Sequence, residues 1–424
     1  MKILIIGNGG REHALTWAIS QNPRCTKIYC SPGNAGTAEL ATNIYIDITS
    51  NNKILETCLE YAIDMVVVGP EKQFEQGLTN VLIEKNILVF GPTKEASLLE
   101  TSKSFTKNMC RHKNIPSGKY EIFSTEADAQ IFLRDQNAPY VIKADGLAAG
   151  KGVLVSNDIK ECFQFISSIF KGKVGTEKNK VIIEEYLEGR EMSVFFAIDK
   201  NTIKFVGSAQ DYKRAFDNDL GPNTGGMGAF SPSLLLTEKN LDKIVNKIVK
   251  PTIEYMKEIG TEFSGILYAG LILNNGEPKL IEYNVRFGDP ECQVTIPMIK
   301  ADLVELFTSA CEDKLGSVRV DFHTQSAICV VLASEGYPSS PIKGRPVEGI
   351  ITGFGTPGLN SSWINPAGLS SGENGELIAS GGRVLTCTAM MDNLDLARDS
   401  AYQKLSELSL EGAHYRTDIG HRAF

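Results

Sequence analysis

Five short apolar runs punctuate the first hundred residues: KILIIG (2–7), KIYCS (27–31), IYIDI (44–48), MVVVGP (65–70) and ILVFGP (87–92). Stretches with helical spacing separate them, and this βαβ rhythm predicts a parallel, doubly wound sheet. Each strand except IYIDI runs into a Gly- or Pro-bearing loop: GNGGREH, SPGNAG, GPEK and GPTK. Such loops sit at the carboxyl ends of the strands, where open α/β sheets bind ligands.

From about residue 101 the pattern changes. A helix beginning near Thr101 carries Lys103; a strand PYVIKAD (139–145) then meets a second strand VLVS (153–156) across GLAAGKG. A helix over 158–170 leads to the strand KVIIEEYLEG. Beyond the polar loop QDYKRAFDNDLGPNTGGMG come a helix over about 238–259 and two strands, ILYAGLIL (266–273) and PKLIEYNVRF (278–287). Near residue 325 a third unit opens with AICVVLAS, holds a strand pair around ELIASGGRVLTCTAM, and closes with a helix near 392–409.

Length supports that division, since 424 residues on a prior of ~150 per domain make about three. The expected units are a Rossmann-like domain over 1–100, a central domain over 101–325 with a mobile subdomain near 120–190, and a small α+β domain over 326–424. Hydrophobic residues make up 42% and charged residues 22%, which is ordinary globular composition. A net charge of −8 gives no global attraction for nucleic acid or anionic lipid, so an anionic ligand requires a local pocket. Nine scattered cysteines without a C-x-x-C pair read as reduced thiols of a cytoplasmic protein. The first apolar run is too short for a signal-peptide core, and no run approaches ~20 residues, so no membrane partner is expected. The five histidines lack metal-site spacing.

GNGGREHA invites a dinucleotide-binding reading. The fingerprint's third glycine is Glu12 here, however, and the second strand ends at Cys30 and Ser31 with no acidic residue for a ribose hydroxyl. What survives is a glycine-rich turn at a helix N-terminus, suited to a single phosphate, with Arg11 adding charge. GLAAGKGV (146–153) likewise fails as a P-loop: the glycine spacing is short by one, Gly152 follows the lysine, and strands flank it. A glycine-rich hairpin is instead a flap whose amides, with Lys143 and Lys151, can close over phosphates.

LIEYNVRFGDPE is the most informative strand. Alternation puts Ile281, Tyr283, Val285 and Phe287 on an apolar face and Glu282, Asn284 and Arg286 on the other. A carboxylate and an amide oxygen two residues apart suit one Mg²⁺ that takes its other ligands from water and nucleotide phosphates. Arg286 can neutralise a transferring phosphoryl group, and Asp289 follows on a Gly-Asp-Pro turn. In IIEEYLEGRE (182–191), Glu184 ends a strand whose following backbone suits an adenine edge, and Glu191 suits ribose hydroxyls. GPNTGGMGAF (221–230), with four glycines within eight residues, is a candidate nest for a small carboxylate, preceded by Asp211, Lys213 and Arg214.

Taken in order, Lys103, Lys143 with GLAAGKG, EEYLEGRE and EYNVRFGDPE resemble the ATP-grasp fold. The closer resemblance is to the phosphoribosylamine–glycine ligase (glycinamide ribonucleotide synthetase) family, carried by GNGGREHA, PGN, GPE, KADGLAAGKGV, QDYKR, NTGGMGA, RFGDPECQ, SGGRV (380–384) and YRTDIG (415–420). It spans essentially the whole chain. The fold it implies is α/β and α+β multidomain: an N-terminal doubly wound parallel sheet, a central ATP-grasp fold with a glycine-rich flap, and a small C-terminal α+β domain.

The resemblance also implies roles. Lys103, Lys143 and Lys151 would contact ATP phosphates, Glu184, Glu185, Tyr186 and Leu187 the adenine, Glu191 the ribose, and Glu282 and Asn284 the Mg²⁺ or Mn²⁺. Gly9, Gly10, Arg11, Glu12, Asn34 and Glu71 would face phosphoribosylamine. Asp211, Lys213, Thr224, Gly225, Gly226 and Met227 would approach the glycine side, and Arg286, Asp289 and Lys143 would act in catalysis. The implied reaction consumes ATP to join glycine to 5-phosphoribosylamine through glycyl phosphate in purine (IMP) biosynthesis. The enzyme is expected to be a cytoplasmic monomer with at most transient contact with neighbouring pathway enzymes. The competing readings are another ATP-grasp ligase or carboxylase of purine biosynthesis, an NAD-dependent dehydrogenase and a non-catalytic nucleotide sensor. In one local departure, KQFEQG follows GPE where relatives usually carry an apolar Pro-Leu pair.

Overall fold

The computed structural model describes residues 1–148, 151–175, 180–351 and 353–421. Its first sheet is parallel, in the spatial order Thr42–Asn43, Lys27–Pro32, Lys2–Gly7, Met65–Val68, Leu88–Phe90. The strand order reverses between Lys2–Gly7 and Met65–Val68, so the GNGG and GPE loops flank the crevice where such sheets take ligands. Ile3, Leu4, Ile5 and Ile6 are all fully buried, as a strand covered on both faces requires.

The expected strand 44–48 does not form. Only Thr42–Asn43 joins the sheet, because side chains displace the ladder beyond it. Asn43 Nδ2 donates to Asn34 O at 2.8 Å, the Ile46 N–H turns to Ser31 Oγ at 3.3 Å, and Tyr45 is 94% exposed.

A four-stranded antiparallel sheet forms the flap subdomain, in the order Tyr120–Phe123, Val181–Glu184, Tyr140–Ala144, Val153–Ser156. Helices Glu126–Arg134 and Ile159–Phe170 contribute Ala129, Leu133, Cys162, Ile166 and Ile169 to its core. The hairpin joins strand to strand as anticipated, although Ala149 and Gly150 of GLAAGKG lie outside the described residues.

The third sheet has eight antiparallel strands and runs through both remaining thirds of the chain. Its order is Glu277–Asn284, Gly265–Asn274, Arg190–Ile198, Ile203–Asp211, Gly228–Ser231, Ser326–Ala333, Arg383–Met391, Ser361–Pro366. The strand pair expected within ELIASGGRVLTCTAM is not a pair. Leu377–Ala379 pairs with Leu369–Ser371, while Arg383–Met391 is inserted between Ser326–Ala333 and Ser361–Pro366. A bulge also corrects the strand 278–287. Gly270 faces Glu282 but Leu271 faces Leu280, leaving Ile281 as the extra residue, so the buried set changes parity from Leu280 to Tyr283, Val285 and Phe287.

The C-terminal YRTDIG locks this sheet to the polar loop before NTGGMG. Arg416 is wholly buried; it donates to Asp219 at 3.0 Å, to both Asp418 oxygens at 2.7 Å and to Arg214 O at 3.1 Å, with its guanidinium 4.9 Å from the Tyr212 ring centroid. Removing Arg416 strands the mostly buried Asp418 and the Arg214 carbonyl, while Asp219 is exposed enough to return to water. Arg416→Met is therefore expected to cost about 3 kcal/mol in urea unfolding, and a loss under about 1 kcal/mol would contradict this reading.

Candidate active site

The expected nucleotide side of the site is built on three elements. Ser102 caps the helix Lys103–Lys113 by accepting the Phe105 N–H, which sets Lys103 at its first turn, where Nζ donates to Gly146 O at 3.0 Å. Lys107, one turn on, and Lys143, from the strand Tyr140–Ala144, converge on one oxygen of Glu184, at 2.9 and 3.1 Å. Burial raises the Glu184 carboxyl, but Lys143 and then Lys107 more than offset it and hold it below the ordinary range. Burial lowers the Lys107 ammonium further than Glu184 restores it, whereas Lys143, facing both Glu184 and Glu282, is net raised. One carboxylate thus holds two ammonium groups in a dry pocket. A triphosphate entering there would meet a preassembled cation, Lys143, whose departure leaves Glu184 still neutralised by Lys107.

Beyond Glu184 the chain leaves the sheet. The Glu185 N–H is used by Lys119 O at 2.8 Å and its carboxylate accepts the Lys119 N–H at 3.0 Å, so Glu185 anchors the segment. The peptide groups of Tyr186 and Leu187 make no hydrogen bond among the described residues, which leaves them open to an adenine edge. Glu191 and Asp211, from adjacent strands, share Lys213 Nζ at 2.9 and 3.3 Å. Burial and the nearby Glu191 keep the Asp211 carboxyl above its ordinary range despite Lys213. Lys151 is exposed.

Glu282 and Asn284 end the edge strand. No hydrogen bond or ion pair holds the Glu282 carboxylate among the described residues, although it faces Lys103, Lys143 and Lys213. Asn284 Oδ1 accepts from Arg286 Nη2 at 3.2 Å. An unpaired carboxylate and an amide oxygen are hard donors that fit Mg²⁺ or Mn²⁺. The described residues contain no group of three His, Cys, Asp or Glu able to hold a metal ion by itself, so such an ion would depend on nucleotide phosphates and water.

Arg286 is braced on several sides. Nε lies 3.1 Å from Glu71 of the GPE loop, Nη2 is 2.9 Å from Glu100 Oε1, and Nη1 donates to Phe287 O at 3.2 Å. The other oxygen of Glu100 accepts the Val285 N–H at 2.8 Å. Asp289 accepts from Gln293 Nε2 at 2.9 Å and faces Arg383, whose Nη1 donates to Asp289 O at 2.6 Å and Gly225 O at 2.8 Å. Burial raises the Asp289 carboxyl, but Arg383 and Arg11 bring it below the ordinary range.

The first-domain turn docks directly on this segment. A Cβ at Gly9 would lie 2.8 Å from Asp289 Oδ2, and one at Gly10 would lie 2.4 Å from Gln293 Nε2, so both glycines serve close interdomain approach. Glu12 folds back into space left by Gly7 and Gly69, accepts the Gly9 N–H at 2.6 Å and pairs with Arg11 Nε at 2.7 Å. It is thus a buried cap of the turn and not a free ligand contact. The same holds for Asn34: its amide donates to Asn8 O and Pro366 O at 2.9 Å, and its oxygen accepts from Gly36 and Thr37. Arg11 remains at the crevice, with Nη1 on Phe287 O at 3.1 Å.

The NTGGMG loop does not present the open amides of a nest. The Thr224 N–H bonds Lys213 O, that of Gly225 the Tyr337 hydroxyl, that of Gly226 Thr224 Oγ1, and that of Met227 Tyr212 O. All four amides are committed, and the Met227 side chain is wholly buried beside Val331 and Ala333.

Comparison with known proteins completes the picture. Models of the phosphoribosylglycinamide synthetase N domain, ATP-grasp (A) domain and C domain match residues 1–100, 101–292 and 327–422. The chain belongs to the phosphoribosylglycinamide synthetase family. It is 42% identical to phosphoribosylamine–glycine ligase of Rhizobium meliloti over 424 residues, covering 100% of this chain and 99% of the relative. It is 42% identical to the chloroplastic ligase of Arabidopsis thaliana, covering 99% of this chain and 82% of that one. The crystal structure of the Thermotoga maritima ligase superposes with a TM-score of 0.85 at 32% identity, over 99% of this chain and 100% of that one. A biotin carboxylase domain of a Hydrogenobacter thermophilus 2-oxoglutarate carboxylase, solved with MgADP and bicarbonate, shares the fold at TM-score 0.73 and 17% identity, over 98% of this chain and 91% of that one.

Within this synthetase fold, five side chains at the site escaped sequence reasoning: Glu100, Lys107, Gln293, Tyr337 and Arg383. Lys107 carried a signal, being four residues after Lys103 on one helical face. Arg383 sits in SGGRV, but its partners lie 94 and 158 residues away. No helix of the described residues is long and apolar enough to cross a membrane.

Proposed function

We propose that the cleft joins glycine to 5-phosphoribosylamine through glycyl phosphate, using Lys103, Lys107, Lys143 and Glu184 on the nucleotide side and Arg286 at the junction with the first domain. Membership of the family makes the chain a glycinamide ribonucleotide synthetase of de novo purine biosynthesis, an ATP-dependent ligase. The observation that carries the mechanism is the cluster of Lys107 and Lys143 on Glu184, set beside the unpaired Glu282.

A carboxylate and a triphosphate repel each other. Lys103 and Lys143 offset that charge as a glycine carboxylate oxygen attacks the γ-phosphorus and the bond to the β-bridging oxygen breaks, releasing ADP. The amine of phosphoribosylamine then attacks the acyl carbon, the C–O bond to phosphate breaks, and the amine loses a proton as the amide forms. Mg²⁺ or Mn²⁺ held by Glu282 and Asn284 would supply further charge neutralisation on the phosphates. No Ser, Cys or His nucleophile is needed, because phosphoryl transfer relies on positioning and electrostatics. Nine unpaired cysteines support a cytoplasmic setting.

The test is release of ADP and phosphate with glycine and phosphoribosylamine supplied separately and together. Full turnover should require both, with glycinamide ribonucleotide formed in step; equal turnover with either alone would contradict it. On the acceptor side, Arg11→Ala is expected to raise the KM for phosphoribosylamine roughly tenfold and leave that for ATP unchanged, since a charge-assisted contact contributes about 1.5–3 kcal/mol. A shifted ATP KM alone would refute that placement of Arg11.

A further inference from the structure

Arg286 has two carboxylate partners of different character. Glu100 is fixed: it is buried, one oxygen accepts from Arg286 at 2.9 Å, and the other accepts the Val285 N–H at 2.8 Å. Glu71 is exchangeable. It stands at the carboxyl end of the strand Met65–Val68, its side chain is 27% exposed, and only its Oε2 is engaged by another side chain among the described residues, at 3.1 Å from Arg286 Nε. Arg286 in turn donates to Asn284 at 3.2 Å, the amide assigned above to the metal and phosphate side. A line of direct contacts therefore runs from the acceptor crevice to the phosphoryl-transfer side: Glu71, Arg286, Asn284.

We propose that Glu71 is a positioning residue that couples the two half-reactions: hydroxyl or amine donors of the phosphoribosyl acceptor draw its carboxylate from Arg286, which leaves the Arg286 Nε–H and its charge free to serve the transferring phosphoryl group. The inference deepens the ligase reading above and rests on it. Without acceptor, Arg286 stays committed to Glu71, Glu100 and Asn284, and phosphoryl transfer to glycine is held back. The benefit is chemical. An acyl phosphate formed with no amine present is lost to water, and a brace released by the amine-bearing ligand suppresses that loss. The geometry also explains why a catalytic cation carries two carboxylates, since Glu100 keeps Arg286 in place when Glu71 lets go. Burial raises the Glu71 carboxyl, but Arg286 and Arg11 bring it below the ordinary range, so it is ionised and ready to accept from a ligand.

The test compares the full-length wild type with Glu71→Gln, which keeps the shape and removes the charge. ADP release is measured with ATP and glycine alone and with acceptor added, and the ratio of ADP to glycinamide ribonucleotide is followed. Wild type should give a ratio near unity. Glu71→Gln should raise acceptor-independent ADP release roughly tenfold, the scale of a typical coupling interaction, and push the ratio above unity. Calorimetric titration with ribose 5-phosphate, without metal or nucleotide, should show weakened binding in the same variant. Glu100→Gln should slow both conditions together and leave the ratio unchanged. If Glu71→Gln lowers both rates in step with the ratio at unity, the proposal fails, as it does if ribose 5-phosphate binds unchanged. Should Glu71→Gln not fold, Glu71→Asp, which withdraws the charge from Arg286, must show the same uncoupling. A wild type that makes no glycinamide ribonucleotide would instead refute the ligase reading.

Discussion

Replacing Glu282 with alanine is expected to lower ATP turnover by roughly a thousandfold or more, with the fold intact. The carboxylate is half-buried on an edge strand and no described residue pairs with it, so its removal leaves no hydrogen-bond partner stranded among them and opens no large cavity. What it takes away is the negative charge facing Lys103, Lys143 and Lys213, and with it the carboxylate proposed to hold a divalent cation against the phosphates. Unfolding curves should superimpose on those of the wild type while turnover collapses. A variant retaining near wild-type rate at saturating Mg²⁺ would refute the assignment of Glu282.

Arg286→Met is expected to damage stability and activity together. It leaves Glu71 and Glu100 facing each other in a mostly dry crevice, at a cost of about 3–5 kcal/mol, and lowers turnover by roughly a hundredfold or more. The stability loss should depend on pH. Burial already pushes the Glu100 carboxyl from 4.5 up to about 7, against the pull of Arg286. Between those values the folded chain holds a proton that the unfolded chain has released, so this group's contribution to stability falls as pH rises through the window. Without Arg286 the window extends upward, and the deficit should be larger on the alkaline side of neutrality than near pH 4.5. Chemical unfolding at several pH values checks this, and a pH-independent deficit would show that Glu100 is not the group left unpaired.

Both predictions depend on residues that the sequence made visible and on partners that it did not. Alternation along LIEYNVRF exposed Glu282, Asn284 and Arg286 as one polar face, because period-2 burial is a local property of a strand. The bulge at Ile281 was not legible, since it arises from how the neighbouring strand Gly265–Asn274 pairs. Arg286 could be read as a phosphoryl-facing cation, yet its brace to Glu71 spans 215 residues, and no local pattern encodes that. Glycine content misled in a specific way. NTGGMG and GNGGRE both read as open amide cradles, but composition does not say whether an amide is already spent. The Tyr337 hydroxyl and Thr224 Oγ1 spend amides of the first, whereas in the second the Glu12 carboxylate takes the Gly9 N–H alone. The strand 44–48 failed for a related reason, as the Ser31 side chain took the Ile46 N–H that a ladder would have used.

The central claim is that a glycine carboxylate oxygen becomes bonded to the γ-phosphorus before the amide forms. Glycine labelled with ¹⁸O in its carboxylate, turned over with ATP and phosphoribosylamine, tests it most directly. The account predicts that each turnover carries one labelled oxygen into inorganic phosphate and leaves the other in the amide of glycinamide ribonucleotide. Phosphate released without label, at normal turnover, would contradict it.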